Sequence, residues 1–184
     1  MNVYDFDNTI FRGDSTARFY LYCLKRYPKI FKRLPKLGFE AVTLLHRNKQ
    51  LFKQHMFAFL KDLPDPEAAV KDFWDLNEKY VKQWYLKQKK SDDLIISASP
   101  EFLIRPIMKR LGVSNVLASP VDIVTGLYGG RNCHGEEKLN RYRIYARGQQ
   151  IDAFYSDSRS DQPLAGIAKE AFLVKGEQLL PWGK

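Results

Sequence analysis

Five short apolar runs, each followed by a turn or a helix-start signal, constrain the fold of this chain more than any other feature. They are Asn2 to Phe6, Leu94 to Ser97, Val116 to Ala118, Ile151 to Ser156 and Ala171 to Val174. Runs this short and apolar read as buried strands. Helical patterns fill the gaps, from Pro100 to Leu111, from about Glu136 to Arg147, and from Gln162 to Lys169. Strand, crossover helix and strand in alternation specify a mostly parallel sheet covered on both faces, the doubly wound α/β class. The piece from Val121 to His134 carries Gly126, Gly129 and Gly130 and reads as a hairpin or an irregular loop.

Between the first and second runs the pattern is helical throughout. Asp65-Pro66-Glu67 has the form of an N-cap followed by proline at the first helical position, and Val70, Phe73, Trp74, Tyr80, Val81, Trp84 and Tyr85 follow at helical spacing. Pro28 and Pro35 break the upstream stretch into shorter helices. The predicted division is therefore an α/β core made of residues 1–11 and 91–184, with residues 12–90 inserted as an all-helical unit.

Composition limits the class of protein. With 45% hydrophobic residues and no low-complexity tract, the chain has enough apolar material for a core, which excludes intrinsic disorder as its main character. Two cysteines, Cys23 and Cys133, are too few for a disulfide scaffold or a zinc site. No basic leader and no run of apolar residues long enough to span a bilayer is present, so the expected location is cytoplasmic. The net charge of +9 is local: twelve Lys or Arg face two acids between Arg12 and Lys61, while the rest of the chain is nearly neutral.

Chemistry concentrates at two strand ends. Asp5-Phe6-Asp7-Asn8-Thr9 places two carboxylates one residue apart where the first run stops, and the bland reading of such a segment is an Asx turn. The carboxyl ends of strands in an open α/β sheet, however, border the crevice that binds ligands. Ser156-Asp157-Ser158-Arg159-Ser160-Asp161 follows the fourth run in the same position, so Asp157 and Asp161 can converge on Asp5 and Asp7. Close carboxylates repel unless a cation or a proton separates them, and hard oxygen donors favour Mg2+ over zinc. Ser97 ends the second run, before a helix expected to start at Ser99 or Pro100, whose N-terminus attracts anions. Lys138 opens the next helix. Acids, a hydroxyl and a cation in this order are the parts that handle a phosphoryl group.

The ordered set of DFDNT at Asp5 to Thr9, Ser97, Lys138 and SDSRSD at Ser156 to Asp161 resembles the four motifs of the haloacid dehalogenase-like superfamily. SASPEFL at Ser97 to Leu103, TGLYGGRNCHGEEK at Thr125 to Lys138 and YSDSRSDQPL at Tyr155 to Leu164 are similar to its phosphoserine-phosphatase-like subgroup, which includes phosphatidylglycerophosphatase-type lipid phosphatases and has a helical cap after the first motif. The resemblance implies a Rossmann-like core and a Mg2+-dependent phosphomonoesterase. Asp5 is then the nucleophile that forms an aspartyl-phosphate, and Asp7 the general acid and base. The metal ligands it implies are the Asp5 carboxylate, the Asp7 main-chain carbonyl and Asp157, with Asp161 supporting the metal's waters. Ser97, Ala98 and Lys138 would bind the phosphate oxygens. Asp7 argues against carbon–halogen cleavage, because a halide leaves without a proton. Asp14 stands where phosphoserine phosphatases carry a glutamate that meets the substrate amino group, and it is either a specificity residue or the cap of the helix that starts there.

The basic insert is open to several readings. Lys25, Arg26, Lys29, Lys32, Arg33 and Lys36 interleave with Leu24, Tyr27, Ile30, Phe31 and Leu34. They make a solvated face that attracts anionic substrate, a surface for peripheral contact with an anionic inner membrane, or a nucleic-acid patch, the last being least favoured because no recognition motif accompanies the charge. The expected substrate is a lipid phosphate, with a small soluble phosphomonoester as the alternative. From a different class, the competing reading is a non-catalytic basic protein that binds lipid or nucleic acid on the same fold. His46, His55 and His134 lack metal-ligand spacing, and Cys133 reads as packing.

Overall fold

The computed structural model describes residues 1–35 and 49–183, so Lys36 and His46 lie outside the described residues. Six strands, β1 (Val3–Tyr4), β2 (Leu94–Pro100), β3 (Asn115–Ser119), β4 (Ile151–Ser156), β5 (Ala168–Lys175) and β6 (Gln178–Pro181), form one sheet in the order β3-β2-β1-β4-β5-β6. The first five are parallel, and β6 runs antiparallel to β5. Val3 pairs with Leu94 on one side and Phe154 on the other, which puts β1 at the centre. The chain builds β2 and β3 to one side of it and β4 and β5 to the other, so the strand order reverses beside the end of β1.

The sheet departs from expectation at its start and its edge. β1 is two residues long because the chain leaves the ladder after Asp5, whose N–H donates to the Tyr155 carbonyl at 2.9 Å. Phe6 then closes a tight turn, its carbonyl accepting from both Ile10 and Phe11 at 2.9 Å, with Asn8 in the left-handed region at φ 55°. The acid pair thus sits in a turn that hydrogen bonds hold rigid, rather than within a strand. β6 was not predicted. The helix expected over Gln162 to Lys169 stops at Ala165, since the chain must turn at Gly166 to enter β5.

Helices Glu101–Arg110 and Glu136–Ala146 match the predicted periods and cover opposite faces. Alternate β1 side chains point to opposite faces, so Tyr4 joins a cluster with Ile95, Leu103 and Ile107, whereas Val3 joins Leu94, Leu139 and Phe154. The first cluster continues without a break into the insert through Phe19, Phe73 and Trp74, each at most 1% exposed. Burying side chains of this size contributes about 1.5–3 kcal/mol apiece. Trp74 also donates its indole N–H to the Leu103 carbonyl at 2.8 Å.

Among the described residues, 12–90 contributes no strand to the sheet. Helix α1 (Ser15–Arg26) starts at Asp14, whose carboxylate accepts from Ala17 N–H at 2.8 Å. Asp65 caps helix Pro66–Asn77 in the same way at 2.9 Å. The helical spacing from Val70 to Tyr85 is interrupted at Asn77, because residues 80–82 run back along residues 10–12: Arg12 N–H meets Tyr80 O at 2.9 Å and Lys82 N–H meets Ile10 O at 2.8 Å. Leu24 and Ile30 of the basic stretch are buried, Phe31 is exposed, and Arg33 pairs with Asp62. No helix of the described residues is long and apolar enough to cross a membrane.

Candidate active site

The turn after β1, the end of β2, the start of helix Glu136–Ala146 and the loop after β4 enclose a cavity of about 350 Å³ beneath α1 and helix Lys49–Phe57. Asp5, Asp7, Asp14, Ala98, Lys138, Asp157 and Asp161 all line it. Residues as far apart as 5 and 161 meet because parallel strands end on the same side of the sheet.

Lys138 is the electrostatic centre. Its side chain is 3% exposed, and its ammonium donates to Asp5 Oδ1 at 2.6 Å and to Asp161 Oδ2 at 2.7 Å. Burial alone would lower its pKa, but the two carboxylates outweigh burial and hold it above the ordinary lysine value. Gly135, at φ 57° and bonded through its carbonyl to Lys138 N–H at 3.0 Å, starts the helix that aims this side chain inward.

The acid pair occupies two different environments. Asp5 is buried, with Oδ1 on Lys138 and Oδ2 accepting from the Thr9 hydroxyl at 3.2 Å. Asp7 is held by neutral donors among the described residues: Oδ1 accepts from Ser15 N–H at 2.7 Å and Oδ2 from the Ser99 hydroxyl. Burial pushes Asp5 above the ordinary carboxylate range, against the pull of Lys138 and with a further push from Asp161. Burial and the Asp14 charge push Asp7 up to about 6, against the donors Ser99 and Ser15. Asp157 is also raised, by burial and then by Asp161. Among the described lining residues, Lys138 supplies the one ammonium beside five aspartates, which leaves the cavity short of positive charge.

That shortage fits a divalent cation. Among the described residues no three His, Cys, Asp or Glu side chains are grouped closely enough to hold an ion by themselves. Asp5, Asp7 and Asp157 line the same cavity, and the carboxylates of Asp5 and Asp157 with the Asp7 carbonyl are oxygen donors that could hold Mg2+, water and a substrate phosphate completing its shell. Asp157 lines the cavity, its carboxyl raised by burial and by Asp161, and Asp161 Oδ1 is buried without a hydrogen-bond partner. Both fit a role beside a hydrated ion. The side chain of Asp7, turned onto Ser15 and Ser99, would contribute only through its main chain.

Ser97 departs from expectation. It is fully buried and does not line the cavity, its hydroxyl accepting from Ser99 N–H at 3.1 Å. β2 runs on to Pro100 and the helix begins at Glu101, so Ala98 and Ser99 form the wall instead. Asp14 caps α1 with one oxygen and also lines the cavity. Cys133 is buried and its thiol is pushed up to about 11 by burial, which suits packing rather than nucleophilic chemistry. Sequence reasoning gave no role to Thr9, which joins the two acidic segments by meeting Asp5 and accepting from Asp157 N–H at 2.9 Å. Its position one turn after Asp5 was the available signal. Ser15, Thr16 and Ser99 were also missed, since serines and threonines beside helix starts read as caps.

A parallel sheet with a reversal beside β1 and a carboxylate cluster at that point define a doubly wound, Rossmann-like α/β core carrying a helical insert. Residues 3–166 match the family model of the haloacid dehalogenase-like hydrolases, and the chain belongs to that family. A histidinol-phosphatase from Neisseria meningitidis serogroup C (strain 8013) is 23% identical, with 94% of this chain and 88% of that protein covered. Among solved structures, a protein of unknown function from Bordetella pertussis Tohama I superposes with a TM-score of 0.71 at 19% identity, covering 94% of this chain and 88% of the other. A phospho-aspartyl intermediate analogue of phosphoserine phosphatase gives 0.57 at 18% identity, covering 93% and 84%. These likenesses bear on the fold.

Proposed function

We propose that the chain is a Mg2+-dependent phosphatase that hydrolyses a small soluble phosphomonoester through a phosphoryl-Asp5 intermediate. The observation that carries this reading is the split environment of the acid pair: Asp5 is bonded to a buried ammonium, and two residues on, Asp7 accepts from the neutral donors Ser15 N–H and the Ser99 hydroxyl. Lys138 keeps a negative charge on Asp5 favourable and aims its carboxylate along one fixed direction, as attack on phosphorus requires. Asp7, raised toward neutrality, can carry a proton to the departing alkoxide and later take one from the water that hydrolyses the acyl phosphate. Ala98, on the wall, and Lys138 are the groups expected to face the phosphate, with Ser97 supporting them through Ser99 N–H. Asp5, Asp157 and the Asp7 carbonyl would hold Mg2+, which when bound neutralises charge on the phosphate and its attacker. Asp161 would support the water shell. Residues 12–90 would act as the cap that closes over this site, with Asp14 and Thr16 facing the substrate's leaving group.

Among the described lining residues Ala17, Met56 and Ala98 are apolar, and the others offer polar groups that a small polar leaving group can meet. The names of the similar proteins, histidinol-phosphatase and phosphoserine phosphatase, agree with a small phosphomonoester. The test is a phosphatase panel of phosphoserine, histidinol phosphate, sugar phosphates and phosphatidylglycerophosphate micelles, with Mg2+ or EDTA. Mg2+-dependent turnover of a soluble substrate, abolished in Asp5→Asn, is expected. Preference for the micellar lipid would overturn the substrate class, and no turnover with Mg2+ would favour a binding protein.

A further inference from the structure

We propose that Ser99 is a positioning residue for Asp7, and that it joins the helical insert to the proton-transfer step. This rests on the reading of Asp7 as general acid. Ser99 is 5% exposed at the end of β2, and its main-chain N–H is already committed to Ser97. Its hydroxyl meets three groups. It donates to Asp7 Oδ2, lies 2.8 Å from the Thr16 hydroxyl, and accepts from the Ser15 hydroxyl at 3.3 Å. A serine hydroxyl has one proton and two lone pairs, and these contacts use all of them when Thr16 donates.

The saturation of that hydroxyl decides between two roles. A phosphate ligand would need a proton to offer, and the proton of Ser99 is on Asp7. A helix cap would need the hydroxyl to accept from a main-chain N–H of the following helix, yet that helix starts at Glu101 with no side-chain cap. What remains is orientation. With Ser15 N–H on Oδ1 and Ser99 on Oδ2, the Asp7 carboxyl plane is fixed by one donor from each oxygen's side.

Two of the three residues in this network, Ser15 and Thr16, belong to the insert. Ser15 and Thr16 form the first turn of α1, and they reach Ser99 across more than eighty residues of chain. A displacement of α1 therefore removes the Ser15 N–H from Asp7 and two donors from Ser99 together. Asp7 is held for proton transfer only while the first turn of the insert is seated on β2. Specificity for the leaving group and readiness of its acid then share one contact.

The experiment measures kcat/KM for β-glycerophosphate, an alkyl monoester whose alkoxide needs a proton, and for 2,4-dinitrophenyl phosphate, whose phenolate leaves without one. With Mg2+ present, Ser99→Ala should lose on the order of 10- to 100-fold on the alkyl substrate, the worth of one hydrogen bond to a charged group, and about threefold or less on the aryl one. Ser99→Thr, which restores the hydroxyl, should recover most of the loss. Ser15→Ala, which removes a hydroxyl that donates to Ser99 and keeps the main-chain N–H on Asp7, should show the same substrate bias at roughly 2- to 5-fold. Equal losses on both substrates, or no loss on the alkyl one, would overturn the proposal. Asp7→Asn is the reference: if it shows no bias between the substrates, the acid assignment itself fails, whatever Ser99→Ala does. Melting curves of each variant separate loss of fold from loss of positioning.

Discussion

Lys138→Met tests the electrostatic account of the site most severely, because it keeps most of the apolar stem and removes the ammonium, with its charge and its hydrogen bonds to Asp5 and Asp161. The ammonium lies 2.6 Å from Asp5 and 2.7 Å from Asp161, with side chains 3%, 10% and 2% exposed. At an effective dielectric of about 20, each contact is worth roughly 6 kcal/mol of Coulomb attraction, most of which the cost of burying the ions offsets. Removing one partner leaves the buried carboxylates uncompensated, which costs about 3–5 kcal/mol. For a chain of this length that lowers Tm by about 6–20 °C. The stranded carboxylates relieve their repulsion by taking up a proton, so their folded pKa rises above the unfolded one. The stability of the variant is then greatest at low pH and falls as pH rises through that raised value. Urea unfolding of both proteins at about pH 5 and about pH 8, without Mg2+, should show the deficit growing with pH. A deficit under about 1 kcal/mol at the higher pH, or one equal at both, would refute the reasoning.

Other consequences follow from single residues. Asp7 rises from 3.8 to about 6 on folding, so its contribution is present below about pH 4 and is lost as pH rises through 6. Relative to Asp7→Asn, the metal-free protein should therefore lose about 2–3 kcal/mol between those limits, measured by urea unfolding; a flat difference would contradict it. Asp157→Asn should raise the Mg2+ concentration for half-maximal turnover on the order of 10- to 100-fold or more, whereas an unchanged Mg2+ dependence would remove Asp157 from the ligand set. Gly126 has φ +72° and a Cβ there would stand 2.3 Å from the Phe57 carbonyl, while Gly112 has φ +77° with open space around it. Gly112→Ala should cost about 1 kcal/mol, and Gly126→Ala clearly more, because the core loop can no longer seat against the insert; equal melting temperatures would count against that contact.

The legible parts of the sequence were those whose signal is local. Ile151 to Ser156 is a central strand with neighbours on both sides, and its apolar run marks it residue for residue. Asp65-Pro66 announces its helix because cap and first turn lie within four residues. The four-residue edge strand β6 lacks a long apolar run, and its signal was the two-residue turn Gly176-Glu177, with Gly176 at φ +61°, joining Lys175 to Gln178. The helical spacing from Val70 to Tyr85 misled because its apolar residues serve two elements, a helix and a strap beside residues 10–12. At the site, carboxylates and Lys138 stand out by type, so Asp5, Asp7, Lys138, Asp157 and Asp161 could be named from motifs. Ser99 could not, since its role comes from Ser15 and Thr16 more than eighty residues away and from a strand that runs three residues past Ser97.

The central claim is that Asp5 carries the phosphoryl group. Acid quenching of the protein within milliseconds of mixing with phosphomonoester and Mg2+, followed by mass spectrometry of the amino-terminal peptide, reads this directly. A gain of one phosphoryl group on Asp5 that forms and decays at the rate of turnover, and is absent from Asp5→Asn, is the predicted result. Phosphate on a different residue, or steady turnover by Asp5→Asn, would contradict the account.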